Sequence, residues 1–141
     1  MVRKIQNYHR ALTDYINASL GKPFQWGTLD CAIFAIGAIE AMIGDKVEKP
    51  DFNYCTLEEA LEFAKTWSLE AGMRDQLNAY DVTCKFHQPG DILIINDNGL
   101  ERAYVVFDRR TYSPLLGGTV TAFNVHQFYE HYPGIKILRF D

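Results

Sequence analysis

The chain has 141 residues, 48% of them apolar and 13% aromatic, and a formal charge of −4. That content suffices for one domain over residues 1–141 with a real hydrophobic core, and it excludes a disordered chain. With no basic block, the charge argues against nucleic acid or an anionic membrane as the main partner.

Ile5, Tyr8, Leu12, Tyr15, Ile16 and Ser19 recur at spacings of three and four, which predicts a helix from about 3 to 20. Gly21 and Pro23 stop it. This segment is amphipathic rather than a charged tip followed by an apolar block, so it does not read as a signal peptide. The stretch PFQWGTLDCAIFAIGAIEAMIG, residues 23–44, follows. Asp30 can cap the start of a second helix and Gly44 its end. Apolar residues cover most of that helix's circumference, which makes it the central, buried one. The run from Cys31 to Ile43 is too short to span a bilayer and contains Glu40, so no membrane insertion is expected. Gly37, in the middle, costs helix propensity and suggests that another element packs closely against it.

Thr56 and Glu59 form a capping-box pattern that opens a third helix, 57 to about 68. A further short helix over about 70–78 would turn Leu69, Met73 and Leu77 inward. After Pro89-Gly90 the texture changes. DILIIN, RAYVVF, TYSPLL and TVTAF are β-branched or aromatic runs separated by DNG, DRR and GG turn signals. They predict consecutive antiparallel strands, followed by a short helix in NVHQFYEHY and a last strand in IKILRF. Helices first and an antiparallel sheet of about five strands second make an α+β domain.

Cys31, Cys55 and Cys84 are odd in number and lack CxxC spacing. They suit a chain made in a reducing cytosol better than a disulfide framework or a zinc site. Cys31 stands out because it opens the central helix. There the unpaired N–H groups and the positive end of the helix dipole favour a thiolate, which is the nucleophilic form. Asp30 opposes this, since a neighbouring carboxylate disfavours a second negative charge. The plainer alternative is a small hydrophobe filling space at a helix start, and from position alone that alternative is the stronger.

The order of elements adds to this. An N-terminal helix, FQWGTLDCAIF turning into a buried helix, and QPGDILII opening an antiparallel sheet together resemble the NlpC-type cell-wall peptidases. The resemblance runs from about Phe24 to the C-terminus and is closest to the short forms encoded among phage and prophage tail genes. It implies a papain-like fold, with Cys31 as nucleophile and Asp30 as the acid that commonly precedes it. It also implies a histidine base at the start of the sheet's second strand. In this chain the corresponding stretch is ERAYVVF, and Ala103 stands at the histidine's place. A third, polar position that orients the base would fall within Thr111 to Ser113.

Without an imidazole, acyl transfer lacks both its base and its proton donor for the leaving amine. His87, just before the first sheet strand, is the strongest substitute, giving Cys31 and His87 as the candidate catalytic pair. His126 is weaker, and His9 and His131 read as surface residues. Trp26 is a candidate wall beside Cys31 or a core residue. Arg109-Arg110 reads as an exposed hairpin turn. The aromatic end, Phe123 to Tyr132, reads as packing over the sheet, with a protein-binding face as its alternative. No phosphate loop, HExxH or dinucleotide fingerprint is present in the sequence, and no cofactor or metal is expected.

Two functions follow from the resemblance. The first is a phage tail-tip component built on a peptidase fold that has lost its base. The alternative is an active cysteine peptidase that cuts peptidoglycan stem peptides during genome entry. The implied partners are tail-hub and tail-tip proteins, with peptidoglycan as the substrate of the alternative. The implied location is the virion tail tip, after synthesis in the host cytoplasm.

Overall fold

A computed structural model describes residues 2–83 and 86–141, so Cys84 lies outside the described residues. Among them the elements run α1 (Tyr8–Ser19), α2 (Cys31–Ile43), α3 (Leu57–Phe63), α4 (Leu69–Leu77), β1 (Tyr80–Asp81), β2 (Ile92–Asp97), β3 (Leu100–Phe107), β4 (Arg110–Pro114), β5 (Val120–Asn124), α5 (Val125–His131) and β6 (Lys136–Arg139). The class is α+β, as the order of sequence patterns predicts.

The helix α2 is the core of the molecule because its ends and its sides are all specified locally. The Asp30 carboxylate accepts the Ile33 N–H at 3.0 Å, and Gly44 ends the helix at φ 69°. Phe34, Ala35, Ala38 and Met42 are fully buried. Tyr15 of α1 lies directly over Gly37, where an added Cβ would collide with its ring. Its hydroxyl donates to the Phe34 carbonyl at 2.9 Å. The mid-helix glycine is therefore what lets α1 approach.

The sheet order is β1-β6-β2-β3-β4-β5. β2 to β5 form an antiparallel meander. Its first two hairpins turn through Asn98-Gly99 and Asp108-Arg109, all four residues at positive φ, as tight two-residue hairpins require. Ile92, Ile94, Ala103, Val105 and Tyr112 face α2, while Leu93, Tyr104 and Val106 face the other way and pack with Phe128 of α5. This alternation fixes which strand positions can reach Cys31.

Three sequence expectations need adjustment. The first helix begins at Tyr8 rather than near 3, because Lys4 N–H bonds to the Asp141 carbonyl (2.9 Å) and Ile5 N–H to the Met42 carbonyl (2.8 Å). The third helix stops at Phe63 rather than 68; Ser68 then caps a separate helix by accepting the Ala71 N–H at 3.2 Å. The sheet has six strands rather than about five among the described residues, the addition being the two-residue β1 on the outer side of β6. The last strand, β6, lies between β1 and β2.

Candidate functional site

Cys31 is the first residue of α2, and Asp30 before it is 2% exposed. One Asp30 carboxylate oxygen caps the helix. The other accepts the Tyr54 hydroxyl at 2.6 Å and the Gly27 N–H at 3.2 Å. Gly27 has φ 75°, and a Cβ there would meet the carbonyls of Phe52 and Tyr54. The Trp26-Gly27 turn is thus shaped by the close passage of the 52–54 loop. A buried carboxylate is held here by hydrogen bonds alone, which meets its need for partners.

The Cys31 thiol donates to the Glu101 carbonyl at 3.5 Å. The residue keeps some exposed surface, yet the sulfur is closely surrounded, and burial pushes its pKa up to about 11. The backbone N–H of Ala103 pulls the other way and the Asp30 charge adds to the rise. At neutral pH this group is a neutral thiol, not a thiolate.

Ala103 lies in the middle of β3, opposite Ile94, and is 1% exposed on the face that packs on α2. The expected register holds to that extent: position 103 faces the Cys31 helix and offers it only a methyl group and a peptide N–H. It does not begin its strand, which starts three residues earlier at Leu100.

Two hollows flank the sulfur. A small one, about 40 Å³, is walled by Trp26, Tyr54, Phe63 and Trp67. A wider one, about 210 Å³, runs past Phe24, Trp26, Leu57, Arg102 and Leu116. Trp26 borders both, which makes it the shared wall beside Cys31.

Among the described residues no histidine lines either hollow. The His87 ring lies 5.7 Å from that of His126 and 5.8 Å from that of Tyr129. The His9 ring lies tilted beside Tyr8 at 4.3 Å, and the His131 ring meets Tyr132 edge-on at 4.6 Å. On β4, Val105 pairs with Tyr112 and Val106 with Thr111. Strand alternation therefore turns Thr111 and Ser113 to the face opposite Tyr112. Both are buried; the Thr111 hydroxyl has no hydrogen-bond partner, while Ser113 donates to the Pro114 carbonyl at 3.3 Å. Ser113 also borders the wider hollow.

Two residues that shape the site carry no local sequence signal. Tyr54 fastens Asp30 from 24 residues away. Glu101 does two jobs: its carbonyl accepts the Cys31 thiol, and its carboxylate accepts the Leu69 and Glu70 N–H groups and the Ser68 hydroxyl at the start of α4. Among the described residues no group of three or more His, Cys, Asp or Glu side chains is placed to hold a metal ion.

Against known proteins, the model of a family described as "Domain of unknown function (DUF6950)" matches residues 3–128, and the chain belongs to that family. No curated protein matches it.

Proposed function

We infer that the protein is a papain-like domain of NlpC type whose catalytic centre has fallen silent, and that it serves as a structural component of a phage tail tip. The observation that carries this reading is the pairing of Cys31 with Ala103. A cysteine at the start of a buried helix faces the strand where the resembled peptidases carry their imidazole, and what position 103 of that strand offers it is a methyl group and a peptide N–H. The thiol is held protonated by burial, with no base in the hollows beside it. A papain-type reaction stripped of its base loses orders of magnitude in rate.

The tail-tip assignment rests on the resemblance to short tail-gene peptidases. It brings tail-hub and tail-tip proteins as partners, arranged in several copies by the tail's symmetry. The alternative, an active peptidoglycan hydrolase using Cys31 and His87, draws on the position of Cys31 at a helix start bordering a hollow.

The experiment is a release assay on purified wall fragments, run with the wild type, Cys31→Ala and His87→Ala. The silent reading expects no release from any of the three. Release abolished by both substitutions establishes the alternative, and release abolished by Cys31→Ala alone means a different base serves the thiol.

A further inference from the structure

A further hollow opens on the α5 side of the sheet. Arg102 and Tyr104 alternate with Ala103 on β3, so they point to the α5 side. Between them and α5 lies an opening of about 440 Å³, bordered by Arg102, Tyr104, Phe123, Gln127, Phe128 and His131. Its floor is aromatic: the rings of Tyr104 and Phe128 are 4.5 Å apart, and those of Phe128 and Tyr132 5.0 Å apart.

Two features of this hollow point to a ligand. The first is exposed apolar surface. Phe123 is 39% exposed at its rim, and the hollow shares Arg102 and Tyr104 with the wider one beside Cys31, where Leu116 is 64% and Leu57 44% exposed. Three of the large hydrophobic side chains left in solvent thus border two adjoining hollows that share Arg102 and Tyr104, where a scattered distribution would need no explanation.

The second feature is charge. The protein has 18 acidic residues against 14 Lys and Arg, yet among the described residues none of the groups lining the hollow itself is a carboxylate; its polar groups are a guanidinium, an imidazole, a side-chain amide and phenols, and Asp97 reaches Arg102 from the adjoining hollow. The Arg102 ion pair with Asp97 is long, at 3.4 Å, and its two side chains are 37% and 48% exposed. Such a pair is weak and easily exchanged for a better one. A guanidinium offers five donors in a fork that matches a carboxylate.

We propose that this hollow binds the C-terminal residue of a partner polypeptide, its apolar side chain over Phe123 and Phe128 and its α-carboxylate on Arg102. A C-terminal apolar residue carries the negative charge and the apolar group within one residue, which matches a hollow lined by Arg102 and the aromatic floor together. The volume suits one or two side chains and not a packed helix. The hollow adjoins the wider one beside Cys31 through Arg102 and Tyr104 but is not lined by Cys31 itself, and the test reads binding rather than thiol chemistry.

The test is titration of the ¹⁵N-labelled protein with N-acetyl-phenylalanine, with its amide, and with acetyl-Asp-Phe-amide, which carries the charge on a side chain. The backbone N–H of Phe128 and the side-chain amide of Gln127 report occupancy. The acid should bind about fivefold more tightly than the amide, the worth of one exposed charge pair. Arg102→Gln should bring that ratio to about one, with signals distant from the hollow unchanged. No saturable shift with any probe overturns the site. Equal binding of acid and amide to the wild type, or a preference that survives Arg102→Gln, overturns the carboxylate assignment. Binding of acetyl-Asp-Phe-amide as tight as that of the acid overturns the C-terminal one.

Discussion

The Tyr54 hydroxyl donates to the Asp30 carboxylate at 2.6 Å, so the residue that starts the Cys31 helix is fastened to a loop 24 positions further along the chain. Tyr54 is 8% exposed and Asp30 2%. The bond therefore contributes where water cannot replace it. In the absence of an imidazole, this pair, rather than a catalytic dyad, organises the mouth of α2.

Tyr54→Phe removes the hydroxyl and leaves a buried carboxylate one donor short. The expected loss is about 1.5–3 kcal/mol, the usual worth of a hydrogen bond to a charged group. Urea unfolding followed by circular dichroism measures it. A loss within experimental error would mean that the Gly27 and Ile33 N–H groups satisfy Asp30 alone.

Cys31 should resist alkylation at neutral pH. With its pKa pushed to about 11, only about one thiol in ten thousand is ionised at pH 7. Exposed Cys55 should be labelled by iodoacetamide well before it. Peptide mapping by mass spectrometry reads both sites, and fast labelling of Cys31 at pH 7 would contradict the neutral thiol.

The same group gives an alkaline slope. Its pKa is 9.0 without the fold and about 11 within it, so above pH 9 the unfolded chain releases a proton that the folded chain keeps. Unfolding is then favoured, and the stability present below pH 9 falls as pH rises toward 11. Tyr54, whose pKa burial and Asp30 also raise, adds to the fall at higher pH. Cys31→Ala should flatten the slope between pH 9 and 11 in urea unfolding at stepped pH. An unchanged slope would assign it to other groups.

Gly37→Ala should destabilise, although alanine is the better helix former by about 1 kcal/mol. The added Cβ would meet the Tyr15 ring, which is held in place by its bond to the Phe34 carbonyl. Overpacking of this kind costs about 1–3 kcal/mol. A smaller side chain at position 15, as in the double variant with Tyr15→Leu, should recover part of the loss. A neutral or stabilising Gly37→Ala would show that α1 shifts freely.

How much of this was legible in the sequence depends on the reach of each interaction. The Asp30 cap, the Gly44 stop, the close packing at Gly37 and the Asn98-Gly99 turn are all written within a few residues, and each appears where the sequence puts it. The Tyr54 bond to Asp30 and the Glu101 cap on α4 join segments 24 and more than 30 residues apart, with no periodicity to announce them. The resemblance of ERAYVVF to a family strand places position 103 opposite the Cys31 helix, and the local period of two then keeps its side chain on the face that packs on α2. Nothing local says toward which face a histidine in a loop will turn, and the ring of His87 lies against His126 and Tyr129.

The position of β6 sets the order in which the molecule can be completed. This strand follows every other element in sequence, yet it lies inside the sheet, with Tyr80 and Asp81 on one side and Ile92 to Ile94 on the other. Until residue 139 has been synthesised, β2 presents an open row of N–H and C=O groups beside a strongly apolar surface, a template for pairing with other chains. The family match ends at residue 128, so a fragment cut to that boundary would keep this edge open permanently. The segment needed to close the sheet is therefore longer than the segment by which the family is recognised, and a chain without β6 keeps an edge open to pairing with other chains.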